Sequence, residues 1–193
     1  KYGFFRLGRQ KRNWGPFADR SLILSANPYS FDALEWQIHS SFFEFRHLFA
    51  PFFREKWFAT DNGFLTNRFL TAHSLNLILG EWASFGISEA VVFSREKFFP
   101  DLHYLNPVSI YTVVNTNQEG DGNLMLAFQW SVHPFIKCIT LKGQVLLDDF
   151  QVDDELVTDK EPTHYGIDMG VYWNNPLKIP FDHLLKAEYN RRS

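Results

Sequence analysis

Apolar residues are distributed differently before and after about residue 108. In the segment 31–50 they recur with the i, i+3, i+4, i+7 spacing of an amphipathic helix, at the positions Phe31, Leu34, Ile38, Phe42, Phe45 and Phe49. Ser30 precedes the segment as an N-cap and Asp32 lies in its first turn, where both residue types stabilise a helix start. The pattern therefore predicts a helix over residues 31–50.

A second helix is predicted over residues 64–85. The turn signal Asp61-Asn62-Gly63 precedes it and Gly86 follows it, as expected for a helix between a turn and a C-terminal glycine. Its apolar face consists of Leu65, Phe69, Leu70, Leu77, Ile78, Trp82 and Phe85. Gly80 lies inside this segment and weakens the predicted helix.

The segment 108–152 has the composition of a β-sheet. Its β-branched and aromatic runs are separated by breaks that contain Gly or Pro, and Gly120-Asp121-Gly122 suits a tight reversal. These runs predict four antiparallel strands, with a last strand over 164–173 and a short C-terminal helix that begins at Pro180. The expected fold is α+β, with N-terminal helices packed on one face of a curved antiparallel meander.

The chain has 193 residues, a length that suits one domain with a sizeable core. Residues 1–28 are predicted to be a basic and aromatic extended arm, and residues 29–193 a single α+β domain. Because the sequence begins with Lys1, we expect a fragment or a processed product.

Charge distribution narrows the classes of partner. The net charge of −3 and the pI of 6.2 argue against bulk nucleic-acid binding, and the segment 144–162 is strongly acidic. The arm, in contrast, combines aromatic residues with cations that contact either an acidic protein neighbour, which we favour, or RNA. The predicted contact residues of the arm are Arg6, Arg9, Lys11, Arg12 and Trp14.

Aromatic residues make up 18% of the chain, more than one helix face can bury. Phe43, Phe52, Phe53 and Trp57 lie outside the apolar stripe of the first predicted helix. Large rings are enriched where proteins contact other proteins, so these four residues predict a contact surface for protein subunits or for a membrane surface.

Candidate chemistry is sparse. The single cysteine, Cys138, excludes a disulfide framework and suits a reducing compartment. The seven histidines lack metal-ligand spacing, so neither a metal nor another cofactor is predicted. No apolar run reaches the length of about 18 residues that a transmembrane helix needs.

Catalysis is the alternative class. Nucleophile elbows, phosphate loops and dinucleotide fingerprints are absent from the sequence. Two acid/base pairs, Asp101 with His103 and His164 with Asp168, would suit a dehydratase, an isomerase or a small-ligand pocket. A non-catalytic role is favoured over this alternative, and the enzyme question stays open.

The run Phe98-Phe99-Pro100-Asp101-Leu102 and the order of helices before sheet resemble the cone-shaped fold named after nuclear transport factor two. The resemblance is to the branch found in the mitochondrial import-motor anchor and in the membrane-facing protein of the mitochondrial large ribosomal subunit. It implies a non-catalytic subunit of a large organellar assembly, a ribosome or a respiratory or ATP synthase complex, on the matrix side of the mitochondrial inner membrane.

Overall fold

The computed structural model contains nine strands and two short helices. It describes residues 2–18, 20–26, 29–52, 67–95, 100, 102–117, 122–134, 138–148, 164–176 and 184–192. The strands are β1 (Gly3–Gln10), β2 (Phe31–His39), β3 (Phe43–Phe52), β4 (Asn67–Leu79), β5 (Ala83–Arg95), β6 (Asn123–Val132), β7 (Ile139–Asp148), β8 (His164–Asn174) and β9 (Leu184–Arg192); the helices are α1 (Leu102–Leu105) and α2 (Tyr111–Asn117).

All nine strands form one sheet in sequence order, and each strand pairs antiparallel with the next. The two ends of the sheet differ in the length of the chain that connects the strands. The strand ends joined by residues 40–42, 80–82, 133–138 and 175–183 lie at one end, and the strand ends joined by the longer connections 11–30, 53–66, 96–122 and 149–163 lie at the other. We call these the short-connection end and the long-connection end.

The predicted α+β fold, with N-terminal helices packed on a meander, is wrong. The segment 31–50 forms strands β2 and β3, which pair as a hairpin. Phe residues take the positions where β-branched residues would mark a strand, and their helical spacing is coincidental. The alternation Leu34, Trp36, Ile38 places successive side chains on one sheet face.

The second predicted helix, over 64–85, is also incorrect. Strands β4 and β5 occupy most of this segment and pair over their full lengths. Gly80 lies in the turn between them with φ at +60°, a conformation that glycine adopts without steric cost. The residue that weakened the predicted helix therefore ends a strand and reverses the chain.

Two further elements differ from their predicted type. The run that begins at Val108 was predicted as a strand, but α2 occupies 111–117. The C-terminal segment was predicted as a helix, but β9 occupies 184–192. Pairing along the whole of β8 outweighs the local preference of Leu, Lys, Ala and Glu for a helix. The predicted reversal at Gly120-Asp121 lies outside the described residues.

One core cluster lies between the sheet and a segment that crosses it. Residues 12–18 and 20–24, which we call the inner segment, contribute Trp14, Ile23 and Leu24 to this cluster. The sheet supplies mainly small side chains here, namely Ala33, Ala50, Ala72, Ala90 and Ala127. Because these alanines come from β2 through β6, the sheet leaves room for the inner segment along one face, which we call the inner face.

A second core cluster lies on the opposite face, the outer face. Tyr104 of α1 and Tyr111 of α2 pack on Phe69, Val91 and Phe93. The helices thus cover the outer face of β4, β5 and β6 only near the long-connection end. In the described residues, no helix has both the length and the apolar character needed to cross a membrane.

Candidate functional site

The outer face is apolar and uncovered toward the short-connection end. Twelve large hydrophobic residues on this face are between 38% and 57% exposed. We call the following set the outer band: Leu75, Leu77, Leu79, Phe85, Ile87, Phe128, Leu141, Met169, Val171, Trp173, Leu185 and Tyr189.

Strand register aligns the outer band into rows that cross the sheet. One row runs through Phe43, Leu77, Phe85, Trp130, Gly143, Met169 and Tyr189. From this row to the short-connection end, the outer positions of β3 through β9 hold no charged side chain. The first charged outer residue of β9 is Arg191, one row further toward the other end.

The inner face has the opposite character. Its corresponding row consists of Glu44, Asn76, Gly86, Gln129, Gln144, Asp168 and Asn190, and we call it the inner row. Buried polar groups need hydrogen-bond partners, and the inner row supplies them across strands. Gln129 Nε2 donates to Asn76 Oδ1 at 2.6 Å, while Asn76 Nδ2 donates to Glu44 Oε1 at 3.4 Å.

Gly86 makes the contact between Asn76 and Gln129 possible. It lies between them in the register, and a Cβ at this position would come within 1.9 Å of Asn76 Oδ1. Beside this contact, a cavity of about 370 Å³ lies between the inner face and the inner segment. It is lined by both apolar and polar groups, including the Glu44–Arg46 ion pair with its 2.8 Å separation.

Polar contacts also hold the inner segment on the inner face. The backbone N–H of Leu22 donates to Gln144 Oε1 at 2.8 Å. Arg20 Nη1 lies 2.9 Å from Glu188 Oε2, and Arg12 Nε lies 3.1 Å from Glu35 Oε2. Because Glu35 is on β2 and Glu188 on β9, one short segment contacts strands from nearly the full width of the sheet, so the sheet wraps around it.

A buried ionisable cluster lies on the outer face beneath the helices. Glu89 accepts from the N–H of Tyr111 at 2.9 Å and from Thr112 Oγ1 at 2.8 Å, and its Oε2 lies 3.1 Å from His73 Nε2. Glu89 therefore joins β4 and β5 to α2.

His47 lies next to this cluster, directly across the strand pair from His73. Among the described residues, neither ring nitrogen of His47 has a hydrogen-bond partner.

The predicted arm residues separate into exposed and buried positions. Residues 3–10 form the edge strand β1, where Arg6 donates to Gln10 and Arg9 pairs with Asp32 at 2.7 Å. Lys11 is exposed, whereas Arg12 is 4% and Trp14 2% exposed. The structure thus directs Arg12 and Trp14 into the interior of this chain.

Of the four predicted aromatic contact residues, the structure describes two, and these lie at opposite ends of β3. Phe43 is a half-buried outer residue beside Phe42, with ring centroids 5.0 Å apart. Phe52 packs on Phe31 at 5.7 Å at the long-connection end. Phe53 and Trp57 lie outside the described residues.

The acid/base pairs considered in the sequence do not meet where the structure describes them. His164 and Asp168 share the inner face of β8, but their positions are four residues apart in the strand. This spacing corresponds to about 13 Å along a strand. Asp168 instead accepts from Asn190 and is fully buried. His103 is exposed on α1, and Asp101 lies outside the described part of the chain.

The outer band was not predicted from the sequence. Its signal was the strict alternation of apolar with small or polar residues, as in Leu75-Asn76-Leu77 and Phe85-Gly86-Ile87-Ser88. Alternation over such lengths is typical of a strand with two unlike faces.

Searches against protein-family models, curated proteins and solved structures found no match to this chain.

Proposed function

We propose that this chain is a structural protein of a lipid bilayer. The outer band contacts the acyl chains, and the inner face borders an aqueous interior that the inner segment partly fills. The observation that carries this proposal is the inverted polarity of the sheet toward the short-connection end, with the apolar outer band exposed and the polar inner row enclosed.

The free energy of water exclusion favours such a location. The outer band has 12 large side chains, each about half exposed. Full burial of such a side chain contributes about 1.5–3 kcal/mol, so transfer of the remaining exposed area from water to hydrocarbon contributes on the order of 10 kcal/mol. A protein that leaves this area in water forgoes that stabilisation.

The dimensions of the sheet also fit a bilayer. On β8, the stretch from the outer residue Tyr165 to the outer residue Trp173 contains nine residues, and a tilted membrane-spanning β-strand needs about 9–11 residues. Trp82 and Phe42 lie in turns at the short-connection end and are exposed. Aromatic side chains favour the level of lipid head groups.

A protein partner is the alternative occupant of the outer band. The sequence predicted such a role, as a structural subunit of an organellar assembly, and the assembly and the mitochondrial location remain predictions. We favour lipid because the band crosses six strands, β4 to β9, without a charged group near the short-connection end. Protein interfaces usually include one hydrogen bond per 100–200 Å² and a polar rim.

Vesicle flotation tests the proposal. The full chain would be refolded with phosphatidylcholine vesicles and centrifuged in a density gradient, before and after extraction at alkaline pH. We expect the protein to float with the vesicles in both cases. Protein that stays at the bottom, or that leaves the vesicles on alkaline extraction, would contradict the proposal and favour the protein partner.

A further inference from the structure

We infer that the helical segment 102–117 is a second lipid-contacting surface, located at the boundary between acyl chains and head groups. The inference rests on the proposed function. It concerns a lipid-contacting surface separate from the outer band, because these helices lie outside the sheet and nearer to the long-connection end than the outer band.

The segment presents large apolar side chains on both of its sides. Toward the sheet, Tyr104 and Tyr111 are 1% and 0% exposed, and the Tyr104 ring lies 4.6 Å from that of Phe93. Away from the sheet, His103 and Asn106 are exposed together with the large hydrophobic side chains Leu102, Val108, Ile110 and Val113. A group of exposed apolar side chains of this kind marks a contact surface.

Charge is absent from the same stretch. Residues 102–117 include no Lys, Arg, Asp or Glu, and the only ionisable side chain besides the two tyrosines is His103. In proteins that face water, charged residues are mostly exposed. Charged side chains are costly in hydrocarbon, and the exposed side chains at 108, 110 and 113 are apolar.

Several backbone groups of the segment are hydrogen-bonded within the protein. Thr71 Oγ1 donates to the carbonyl of Tyr104 at 2.8 Å, and the N–H of Tyr111 donates to Glu89. The Asn106 side chain accepts from the N–H of Val108 at 3.1 Å. Non-helical backbone at membrane depth is tolerated only with such protein partners.

The need for protein partners at membrane depth also explains why the Glu89 carboxylate is buried on the outer face. Glu89 occupies an outer position of β5, where a carboxylate facing lipid would be costly. Its oxygens instead bind Tyr111, Thr112 and His73. Glu89 thereby attaches the helical segment to the sheet and is shielded by it.

Depth-dependent fluorescence quenching tests the inference. In a Cys138→Ser background, single variants V108C, M169C and S131C would be labelled with an environment-sensitive dye in phosphatidylcholine vesicles. The quenchers are lipids with a nitroxide near the head group or near the bilayer centre. Val108 represents the helical segment, Met169 the outer band and Ser131 the inner face.

We expect head-group quenching at position 108, central quenching at position 169 and little lipid quenching at position 131. Quenching at 169 without quenching at 108 would overturn the inference and leave the proposed function standing. Quenching at 108 without quenching at 169 would overturn the spanning sheet and retain lipid contact by the helices. Absence of quenching at both positions would reject both.

Discussion

At the scale of single residues, Gly143 shows how closely the outer face is packed. The residue pairs with Trp130 across β6 and β7, and a Cβ on Gly143 would lie 1.9 Å from the Trp130 ring. The indole therefore occupies the space above the glycine. Such a contact allows little relaxation because the glycine is flanked by strands on both sides.

Gly143→Ala is expected to lower the free energy of unfolding by about 1–3 kcal/mol, the usual cost of overpacking. Gly166→Ala is the matched control, since its Cβ would meet no atom nearer than the Leu22 side chain at 3.3 Å. Denaturant unfolding of both variants checks this. Equal stability of the two would show that Trp130 moves aside without cost.

The two ion pairs between the first and second strand regions differ in burial. In the Arg12–Glu35 pair, the side chains are 2% and 5% exposed, and Arg12 also donates to the carbonyls of Gly8 and Phe31. In the Arg9–Asp32 pair, the side chains are 66% and 45% exposed. Solvent screens the second pair far more than the first.

Arg12→Met should lower the free energy of unfolding by about 3–5 kcal/mol, because it leaves the Glu35 carboxylate buried without its cation. The double variant R12M/E35L should recover a large part of this loss. Arg9→Met is the exposed comparison and is expected to change little. Thermal unfolding measures all three, and a harmless Arg12→Met would mean that water reaches Glu35.

At the scale of elements, the pairing of β3 with β4 places His47 next to the buried cluster under the helices. His47 faces His73 across the two strands, and Trp36 of β2 lies 5.8 Å from the His47 ring. Among the described residues, neither ring nitrogen of His47 has a hydrogen-bond partner. The His47 ring is therefore held by packing against its neighbours in β2 and β4.

At the scale of the whole molecule, the two faces of the sheet predict opposite responses to charge. Ser84 and Phe85 are consecutive in β5 and lie on opposite faces: Ser84 borders the inner cavity, and Phe85 belongs to the outer band. A substitution at each position therefore tests the two faces of the sheet at nearly the same height along the strand.

Phe85→Lys should destabilise the protein in phosphatidylcholine vesicles by about 2–4 kcal/mol, the cost of a lysine in the centre of a bilayer. Ser84→Lys on the inner face should cost much less, because it faces a polar interior. Denaturant unfolding of the vesicle-bound protein gives both values. Equal costs would place the outer band in water or against a polar partner.

Local pattern was sufficient for part of the fold. The sequence predicted β-structure within 123–132, 139–148 and 164–173, where β-branched and aromatic residues alternate with polar ones, and strands β6, β7 and β8 lie there. It predicted neither β2 to β5 nor β9, because Phe and Leu at those positions satisfy a helical period as well as a strand period. A short window of sequence does not separate these two solutions.

The rest of the fold was determined only by contacts between residues that are far apart in the sequence. The sequence predicted Arg12 and Trp14 as contact residues of an arm, but Glu35 and the alanines of the inner face bury these two side chains. The alternating pattern of β4 and β5 likewise does not show which set of side chains is exposed. That is decided only when the inner segment covers one face of the sheet. Local periodicity determines which side chains share a face, and long-range contacts determine which face meets the solvent.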